Sequence, residues 1–408
     1  MRIGVNCFLL QEDVGGIKQY FFSLFRELLS RGDSNQYIFF YFEQNISELK
    51  KLEGVNWKEK SVFLHSQKDI LRHLDQIDLY FCPFGTLYPR PLPLPTVVTL
   101  VDIQEVFYPD FFTLHNLLAR DYHYKGSTRM SDRVVTISDF SKQTIVEHHH
   151  IQGEKVKVAY LCADERFYRA KEIARKPNRP LPESFVFYPA NHWLHKNHDV
   201  LLRALVWLRR EKQVTVQAVF TGFDQDSGYR IEDKARAYGI ADQVHLLGYV
   251  SVEELAYLYI HAQALVFPSF FEGFGIPLVE AMAAGCPVLA ADATSLPEVG
   301  ADSVLYFSPC SAEDLGKAIM DLVGNEQLRR EYISRGYLRA KEFSAAKLAD
   351  DHLAVFSEAR TSFFRSKYIW NRLVRKYIDI GKLMSKVIFN GFRGKAKKMF
   401  SVLVERGS

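Results

Sequence analysis

Short apolar runs alternate with longer amphipathic stretches along most of the chain, which predicts strands that alternate with helices. The runs in the first half are RIGVNCFLL, YIFFYF, SVFLH, DLYFC, TVVTLVD and RVVTIS, with a predicted helix over residues 17–31. Those in the second half are SFVFYPA, TVQAVFTG, QVHLLG, AQALVFPS and PVLAAD, with predicted helices from about 197 and around 230–238. This rhythm is typical of parallel sheets covered by helices, so the chain is predicted to be an α/β protein.

The alternation is interrupted by RAKEIARKPNRPLPES, a polar and proline-bearing stretch over residues 169–184 that is typical of a linker. A chain of 408 residues is long for one domain and comfortable for two. We therefore predict two Rossmann-like domains with parallel sheets, over residues 1–168 and 185–343, that face a ligand cleft. Residues 344–360 are predicted to form a closing helix.

Composition places the chain among ordinary globular proteins, with 48% hydrophobic and 25% charged residues. The five cysteines are scattered without a C-x-x-C pair, so we expect reduced thiols in a cytoplasmic protein and no metal site. The N-terminus lacks the pattern of a signal peptide, and no apolar run is long enough to predict a membrane span.

The charge is concentrated in residues 361–408, a segment called the tail below, where twelve Lys and Arg stand against Asp379 and Glu405. An apolar stripe repeats there at helical spacing, which predicts a basic amphipathic helix suited to the surface of an anionic membrane. The stripe consists of Ile369, Leu373, Tyr377, Ile380, Met384 and Val387. Two alternatives stay open: packing of the stripe on the body, and, less favoured by the aromatic residues on the stripe, binding of nucleic acid.

The candidate chemistry lies in FPSFFEGFGIPLVEAMAAGCPVLAAD over residues 267–292, where Glu272 and Glu280 stand among apolar and small residues. A strand ends before FFEGFG, and a helix is predicted to begin near Pro277. Glycines in the turn let backbone amides approach a ligand at a helix N-terminus, which favours anions. The pattern favours a polyhydroxylated, phosphorylated ligand, although two isolated acids are equally typical of helix-dipole or exposed positions.

The stretch EGFGIPLVEAMAAGCPV resembles the E-x7-E signature of retaining glycosyltransferases of family 4, which have the GT-B fold, and the resemblance spans roughly residues 1–360. It implies that Glu272 is catalytic, because it holds hydroxyls of the donor sugar and shields the positive charge that develops at the anomeric carbon. It also implies that Glu280 holds the ribose of the nucleotide. It also implies that three successive amides meet the sugar and the phosphates; these belong to Gly273, Phe274 and Gly275.

The resemblance extends to FYPANHWLHKNHDVLL, where Lys196 matches the family's lysine for the leaving diphosphate. The arginine usually found five positions earlier is Asn191 here, and protonated His192 or His195 could supply the missing charge. With those neighbours we interpret Lys196 as catalytic, whereas a lone loop lysine is usually only solvated.

Further donor-binding candidates follow from the resemblance. Gly15 and Gly16 match the family's glycine loop between the first strand and first helix, and Tyr249 and Val250 lie where the base is received. The resemblance also implies that residues 1–168 bind the acceptor and that residues 185–343 bind the nucleotide-sugar. Asp102 keeps the acid of the family's His-Asp pair and is assigned to the acceptor side of the cleft.

Val101 replaces the histidine of the His-Asp pair, and Ser138 and Ser141 are interpreted as helix-capping residues rather than ligands. Two patterns that imitate metal sites are interpreted as surface features: DQD at 224–226 as a solvated loop, and HHH at 148–150 as a cluster at a helix end.

Together these features predict a metal-independent hexosyltransferase without a cofactor, which moves a hexose from a nucleotide-sugar to a carbohydrate or lipid-linked saccharide by front-face attack. Many relatives of the family build lipid-linked polysaccharide or lipopolysaccharide, which implies a peripheral enzyme at the inner face of the membrane and no nucleic-acid partner. The alternatives are a sugar-nucleotide epimerase of the same fold and a non-catalytic, membrane-associated protein that binds a nucleotide-sugar.

Overall fold

The computed structural model describes residues 1–11, 15–32, 34–52, 61–223 and 229–363, and six positions of the tail at 374, 377, 380, 381, 384 and 385. Two parallel sheets carry the described strands. The first sheet is built from β1 (Arg2–Asn6), β2 (Gln36–Tyr41), β3 (Ser61–Phe63), β4 (Leu79–Cys82), β5 (Thr96–Thr99), β6 (Arg133–Thr136) and β7 (Val156–Val158). The second is built from β8 (Val186–Pro189), β9 (Ala218–Thr221), β10 (Val244–Leu246), β11 (Ala264–Phe267), β12 (Val288–Ala291) and β13 (Leu305–Phe307).

Helices connect and cover these strands. Those of the first half are α1 (Gly15–Ser30), α2 (Ile46–Leu49), α3 (Gln104–Phe107), α4 (Leu114–Arg120), α5 (Gly126–Met130), α6 (Asp139–His149) and α7 (Ala170–Ile173). Those of the second half are α8 (His198–Glu211), α9 (Ile231–Tyr238), α10 (Val252–His261), α11 (Ile276–Ala283), α12 (Leu296–Gly300), α13 (Ala312–Gly324), α14 (Glu326–Ala340) and α15 (Ala345–Thr361).

The strand order reverses once in each sheet. The first has the order β3-β2-β1-β4-β5-β6-β7 and the second β10-β9-β8-β11-β12-β13, with all registered pairs parallel. The central strands β4, β5, β11 and β12 are buried on both faces, as their continuous apolar runs predict. In such sheets the point of reversal opens a crevice at the carboxyl ends of the strands, where ligands bind. The predicted α/β architecture is confirmed.

Helix α15 returns from the second sheet to the first. A 2.7 Å hydrogen bond joins Nε2 of His352 to the hydroxyl of Tyr20. The ring of Phe356 packs on the ring of Phe81, with 5.0 Å between their centroids. Ser344 begins the helix by accepting a hydrogen bond from the amide of Lys347. The predicted closing helix therefore exists, and it ties the C-terminal part of the described chain to the N-terminal sheet.

The tail lies largely outside the described residues, and so does the DQD stretch at 224–226. The described tail positions are helical, and Tyr377 is 72% exposed. None of the helices in the described ranges combines the length and the hydropathy that crossing a membrane requires. The described cysteines are free thiols, all buried except Cys310.

Candidate functional site

A cavity of about 540 Å³, called the cleft below, opens between the carboxyl ends of the two sheets. It lies at the point of strand reversal in the second sheet, beside β8 and β11. Twelve of the predicted site residues line it: Gly16, Asp102, Asn191, His195, Lys196, Tyr249, Val250, Glu272, Gly273, Phe274, Gly275 and Glu280. The two acids that are eight positions apart in the sequence therefore face one cavity.

Lys196 is held by the loop that follows β8. It ends a short 3₁₀ turn, and its carbonyl oxygen accepts a 2.7 Å hydrogen bond from the hydroxyl of Tyr188. The next residue, Asn197, has a left-handed φ of 55° and donates from Nδ2 to the carbonyl oxygens of Pro268 at 3.0 Å and Pro309 at 2.8 Å. The buried amide of Asn197 thus fixes this loop to the end of β11, where Glu272 follows.

Lys196 and Glu272 form an ion pair, with Nζ 2.6 Å from Oε1. Both side chains are mostly buried, at 20% and 13% exposure, so the pair is less screened than a surface pair. The backbone of Glu272 is fixed as well, because its amide donates to the hydroxyl of Thr294 and its carbonyl oxygen accepts from Ser295. A charged donor and a charged acceptor are therefore held side by side in the cleft.

Two glycines let the turn after Glu272 pass close to the opposite sheet. A Cβ on Gly273 would lie 2.8 Å from Oδ2 of Asp102 and 3.1 Å from the side chain of Ile137. Gly275 has a φ of 97°, which side chains rarely adopt, and it directly precedes α11. The N-terminus of α11 consequently faces the cleft with its positive dipole end.

Glu280 stands one turn inside α11 and is only 6% exposed. Oε1 accepts a 2.9 Å hydrogen bond from Nε2 of Gln19, and Oε2 accepts a 3.2 Å bond from the hydroxyl of Tyr259. Gln19 belongs to α1 of the first half of the chain, so this carboxylate joins the two sides of the cleft. Burial raises the pKa of Glu280 to about 7, and the two hydrogen bonds oppose that rise.

Asp102 faces the cleft from the end of β5. Its Oδ1 accepts a 3.1 Å hydrogen bond from the amide of Gln104. Burial raises the pKa of its carboxyl group. Val101, beside it, also lines the cleft, so the position of the family's histidine is apolar in this chain.

An aromatic pair lies beside the cleft: Tyr249 lines the cleft, and Phe223 lines a smaller neighbouring cavity. The rings of Phe223 and Tyr249 are nearly parallel, 5.9 Å apart with an interplanar angle of 7°, and Tyr249 is 73% exposed. Asn191 supports this pair, because its Oδ1 accepts a 3.0 Å hydrogen bond from the amide of Phe223. The sequence indicated mainly backbone groups here, and the structure adds exposed aromatic faces.

The structure does not favour the expected protonated histidine at either candidate position. Burial, assisted by the neighbouring charge of Lys196, lowers the pKa of His195 to about 2, so its imidazole is neutral. His192 is buried and lines a smaller cavity beside Arg230 instead of the cleft.

Two predictions on the first half of the chain need correction. Helix α1 begins at Gly15, so the glycine pair forms the first turn of the helix rather than the loop before it, and Gly16 lines the cleft. His149 is not on the surface, because it is 4% exposed and its Nδ1 lies 2.7 Å from the hydroxyl of Thr128. Ser138 caps α6 as predicted, accepting from the amide of Ser141 at 3.0 Å.

Sequence reasoning missed Gln19, Tyr259 and Trp193. Gln19 lies one turn after Gly15 on α1, and this helical spacing was the available signal that it shares a face with the glycines. Trp193 lines the cleft and is 43% exposed. Among the residues that the structure describes, no group of three or more His, Cys, Asp or Glu side chains is arranged to hold a metal ion.

Comparison with known proteins gives concordant matches. The family profile described as "Glycosyl transferases group 1" matches residues 170–339. O-antigen chain mannosyltransferase B of Escherichia coli is 25% identical over 347 residues, which cover 74% of this chain and 88% of the relative. O-antigen chain mannosyltransferase RfbU of Salmonella typhimurium is 30% identical over 280 residues, which cover 68% of this chain and 73% of the relative.

Solved structures share the architecture. The crystal structure of Anabaena Alr3699/HepE in complex with UDP-glucose aligns with a TM-score of 0.67 at 17% identity, covering 88% of this chain and 100% of that chain. At this identity the alignment supports only a shared fold.

Proposed function

This chain belongs to the group 1 glycosyltransferases, and from that premise we propose that it transfers a hexose from a nucleotide-sugar to a saccharide acceptor, with retention of configuration and without a metal ion. The observation that carries the proposal is that Lys196, Glu272 and Glu280 face one cavity. Glu280 accepts hydrogen bonds from the ribose hydroxyls, Lys196 meets the diphosphate, and Glu272 holds the hexose.

The leaving group is stabilised by Lys196 and by the N-terminus of α11. Cleavage of the bond between the anomeric carbon and the phosphate oxygen places negative charge on the diphosphate. A fixed ammonium and aligned backbone dipoles in a partly buried cleft stabilise that charge without reorganisation.

Retention follows from front-face attack. A double displacement needs a carboxylate free to attack the anomeric carbon. Glu272 is paired with Lys196, Glu280 is hydrogen-bonded at the nucleotide end, and Asp102 accepts from the backbone. In the proposed step the acceptor oxygen attacks from the side that the phosphate leaves, and the departing phosphate oxygen takes the acceptor's proton.

Mannose is the hexose to test first, because the similar proteins in Escherichia coli and Salmonella typhimurium are named mannosyltransferases. The uridine nucleotide in the Anabaena complex gives a second donor class to test. Hydrolysis of the donor can be followed without an acceptor, so this assay identifies the donor before the acceptor is known.

The test is an NMR time course of the purified full chain with UDP-, GDP- and dTDP-hexoses, with and without EDTA. We expect one donor to release hexose whose first-formed anomer matches the donor, with no effect of EDTA. Lys196→Met and Glu272→Gln should slow release at least about 100-fold, as the loss of one transition-state contact does. The control is Lys212→Met, an exposed lysine at the end of α8. An inverted anomer, loss of activity in EDTA or normal turnover by Lys196→Met would each refute the proposal.

We also propose that the tail binds anionic membrane. Twelve basic residues accompany its apolar stripe, and each lysine or arginine near an anionic surface contributes about 1 kcal/mol. The full chain should float with phosphatidylglycerol vesicles but not with phosphatidylcholine vesicles. Replacing Lys382 and Lys386 by Glu should weaken flotation, whereas equal flotation with both vesicle types would contradict the proposal.

A further inference from the structure

Helix α6 of the first half of the chain begins against a carboxylate of the second half. Glu298, on α12, accepts a 2.6 Å hydrogen bond at Oε1 from the amide of Asp139 and a 2.9 Å bond at Oε2 from the amide of Phe140. These are the first two amides of α6, which find no partner inside the helix itself. Both oxygens of one carboxylate therefore bind one helix end across the two halves, where the helix dipole also favours a negative charge.

A short segment of the second half, residues 294–298, joins this contact to Glu272 and is called the bridging segment below. At its start, the hydroxyl of Thr294 accepts a 3.1 Å hydrogen bond from the amide of Glu272, and the hydroxyl of Ser295 donates a 2.9 Å bond to the carbonyl oxygen of Glu272. At its end, Glu298 binds α6. The backbone of Glu272 and the start of α6 are therefore fixed to one segment about one helical turn long.

Helix α6 also contacts the loop of Glu272 directly. Ser141 donates from its hydroxyl to the carbonyl oxygen of Gly273 at 3.4 Å, and the ring of Phe140 packs edge-on against the ring of Phe271, with 5.8 Å between their centroids. The residues on both sides of Glu272 thus meet α6. The bridging segment completes a ring of contacts that runs from α6 to the loop of Glu272 and back, and this ring spans the two halves of the chain.

Glu298 supplies a strong link in this ring. A carboxylate that accepts from backbone amides forms charge-assisted hydrogen bonds, which are about twice as strong as neutral ones. The side chain is partly buried, which weakens screening of its charge by the solvent. The bond from Ser141 to Gly273 is neutral and, at 3.4 Å, longer than an ordinary hydroxyl hydrogen bond. Loss of the carboxylate should therefore loosen the bridging segment from α6.

We propose that Glu298 is a positioning residue for the transfer reaction, which holds the bridging segment on α6 and thereby places Glu272 against the hexose. Glu298 does not line the cleft, so it acts through the backbone of Glu272. The inference rests on the proposed function, because it concerns the placement of the residue that holds the donor sugar. Glu280 and Lys196 lie on α11 and on the loop after β8, so loss of Glu298 should slow the reaction without weakening nucleotide binding.

The test compares donor hydrolysis by the natural full chain, Glu298→Ala and Glu298→Gln, with the donor that the NMR panel selects. We expect kcat to fall about 10- to 100-fold in Glu298→Ala, because a small misplacement of a reacting group has effects of this size. The Kd of UDP or GDP, measured by calorimetry, should stay unchanged. Glu298→Gln keeps an oxygen that can accept from one amide, so it should recover part of the lost kcat.

A matched pair of substitutions tests the same contact from the first half of the chain. Asp139→Pro removes the amide that binds Oε1 of Glu298, at the first helical position, where proline is tolerated. The preceding Ser138 has an extended backbone, with φ −159° and ψ 161°, as a residue before proline requires. Asp139→Ala keeps the amide. We expect Asp139→Pro to lower kcat as Glu298→Ala does, the double variant to be no slower than either, and Asp139→Ala to stay within about twofold of the natural chain.

The outcomes separate this inference from the proposed function. A normal kcat in Glu298→Ala or Asp139→Pro, while Lys196→Met is slow, would overturn the inference and leave the proposed function standing. An equal loss of kcat in Asp139→Ala and Asp139→Pro, or losses that add in the double variant, would overturn it as well. If Glu298→Ala does not fold, the Asp139 pair decides. A natural chain that hydrolyses none of the donors would overturn the proposed function and the inference with it.

Discussion

Replacing Glu280 by Gln should make the protein more stable and a poorer binder of nucleotide at the same time. Gln has nearly the same shape and can still accept from Gln19, but it carries no charge. Burial raises the pKa of Glu280 from its ordinary 4.5 to about 7, so the folded chain favours the protonated acid. The folded state is therefore penalised as the pH rises through 7, and the penalty is absent below pH 4.5.

The size of this penalty follows from the pKa values. Each pKa unit is worth about 1.4 kcal/mol, so ionised Glu280 costs the fold about 3 kcal/mol at pH 8. The same cost falls below about 1 kcal/mol at pH 5, where the folded acid is protonated. For a cooperative unit of 150–250 residues, about 3 kcal/mol corresponds to a Tm gain of roughly 6–12 °C for Glu280→Gln at pH 8. At pH 5 the gain should fall to roughly 2–3 °C.

The effect of Glu280→Gln on nucleotide binding is opposite to its effect on stability. A hydrogen bond to a charged group contributes about 1.5–3 kcal/mol, so loss of the carboxylate should weaken nucleotide binding about 10- to 100-fold at pH 8. The assay is calorimetric melting and nucleotide titration of Glu280→Gln and of Glu331→Gln, an exposed control on α14, at pH 5 and pH 8. Equal Tm gains at both pH values would show that the buried charge of Glu280 is not the cause. Unchanged affinity at pH 8 would show that its carboxylate does not hold the nucleotide.

Three further perturbations test other parts of the site. Gly273→Ala places a methyl group 2.8 Å from Oδ2 of Asp102, so kcat should fall at least tenfold with the nucleotide Kd little changed; a normal kcat would contradict the close approach. Asn197→Ala removes two hydrogen bonds that fix the Lys196 loop and should lower stability by about 2 kcal/mol, whereas an unchanged Tm would show that the loop is held by other means. Tyr259→Phe removes one donor to Glu280 and should raise the pH below which nucleotide binding weakens; an unaltered pH profile of Kd would argue against that hydrogen bond.

The fold could be predicted well because each strand is marked by a short apolar run in the sequence itself. Continuous apolar runs such as those of β4 and β11 predict buried strands, and the helices between them require parallel pairing. The E-x7-E spacing and Lys196 correctly indicated residues that share one cavity. Strand order explains this result, because the loops after β8 and β11 meet at the carboxyl edge of neighbouring strands.

The remaining features depend on contacts between distant parts of the chain, which local patterns do not contain. Gln19 meets Glu280 across 261 positions, and only the fold brings them together. The neutral state of His195 follows from burial, which its polar neighbours in the sequence concealed. The hydrogen bonds that join Glu298 to α6 are equally invisible in the hydrophobic pattern.

The most direct test of the central claim is a crystal structure of the full chain with the intact nucleotide-sugar that the donor panel selects. We expect the ribose hydroxyls within about 2.6–3.2 Å of the Glu280 carboxylate, a diphosphate oxygen within reach of Lys196 Nζ, and the hexose against Glu272. A nucleotide seated with its ribose away from Glu280, or bound outside the cleft, would contradict it.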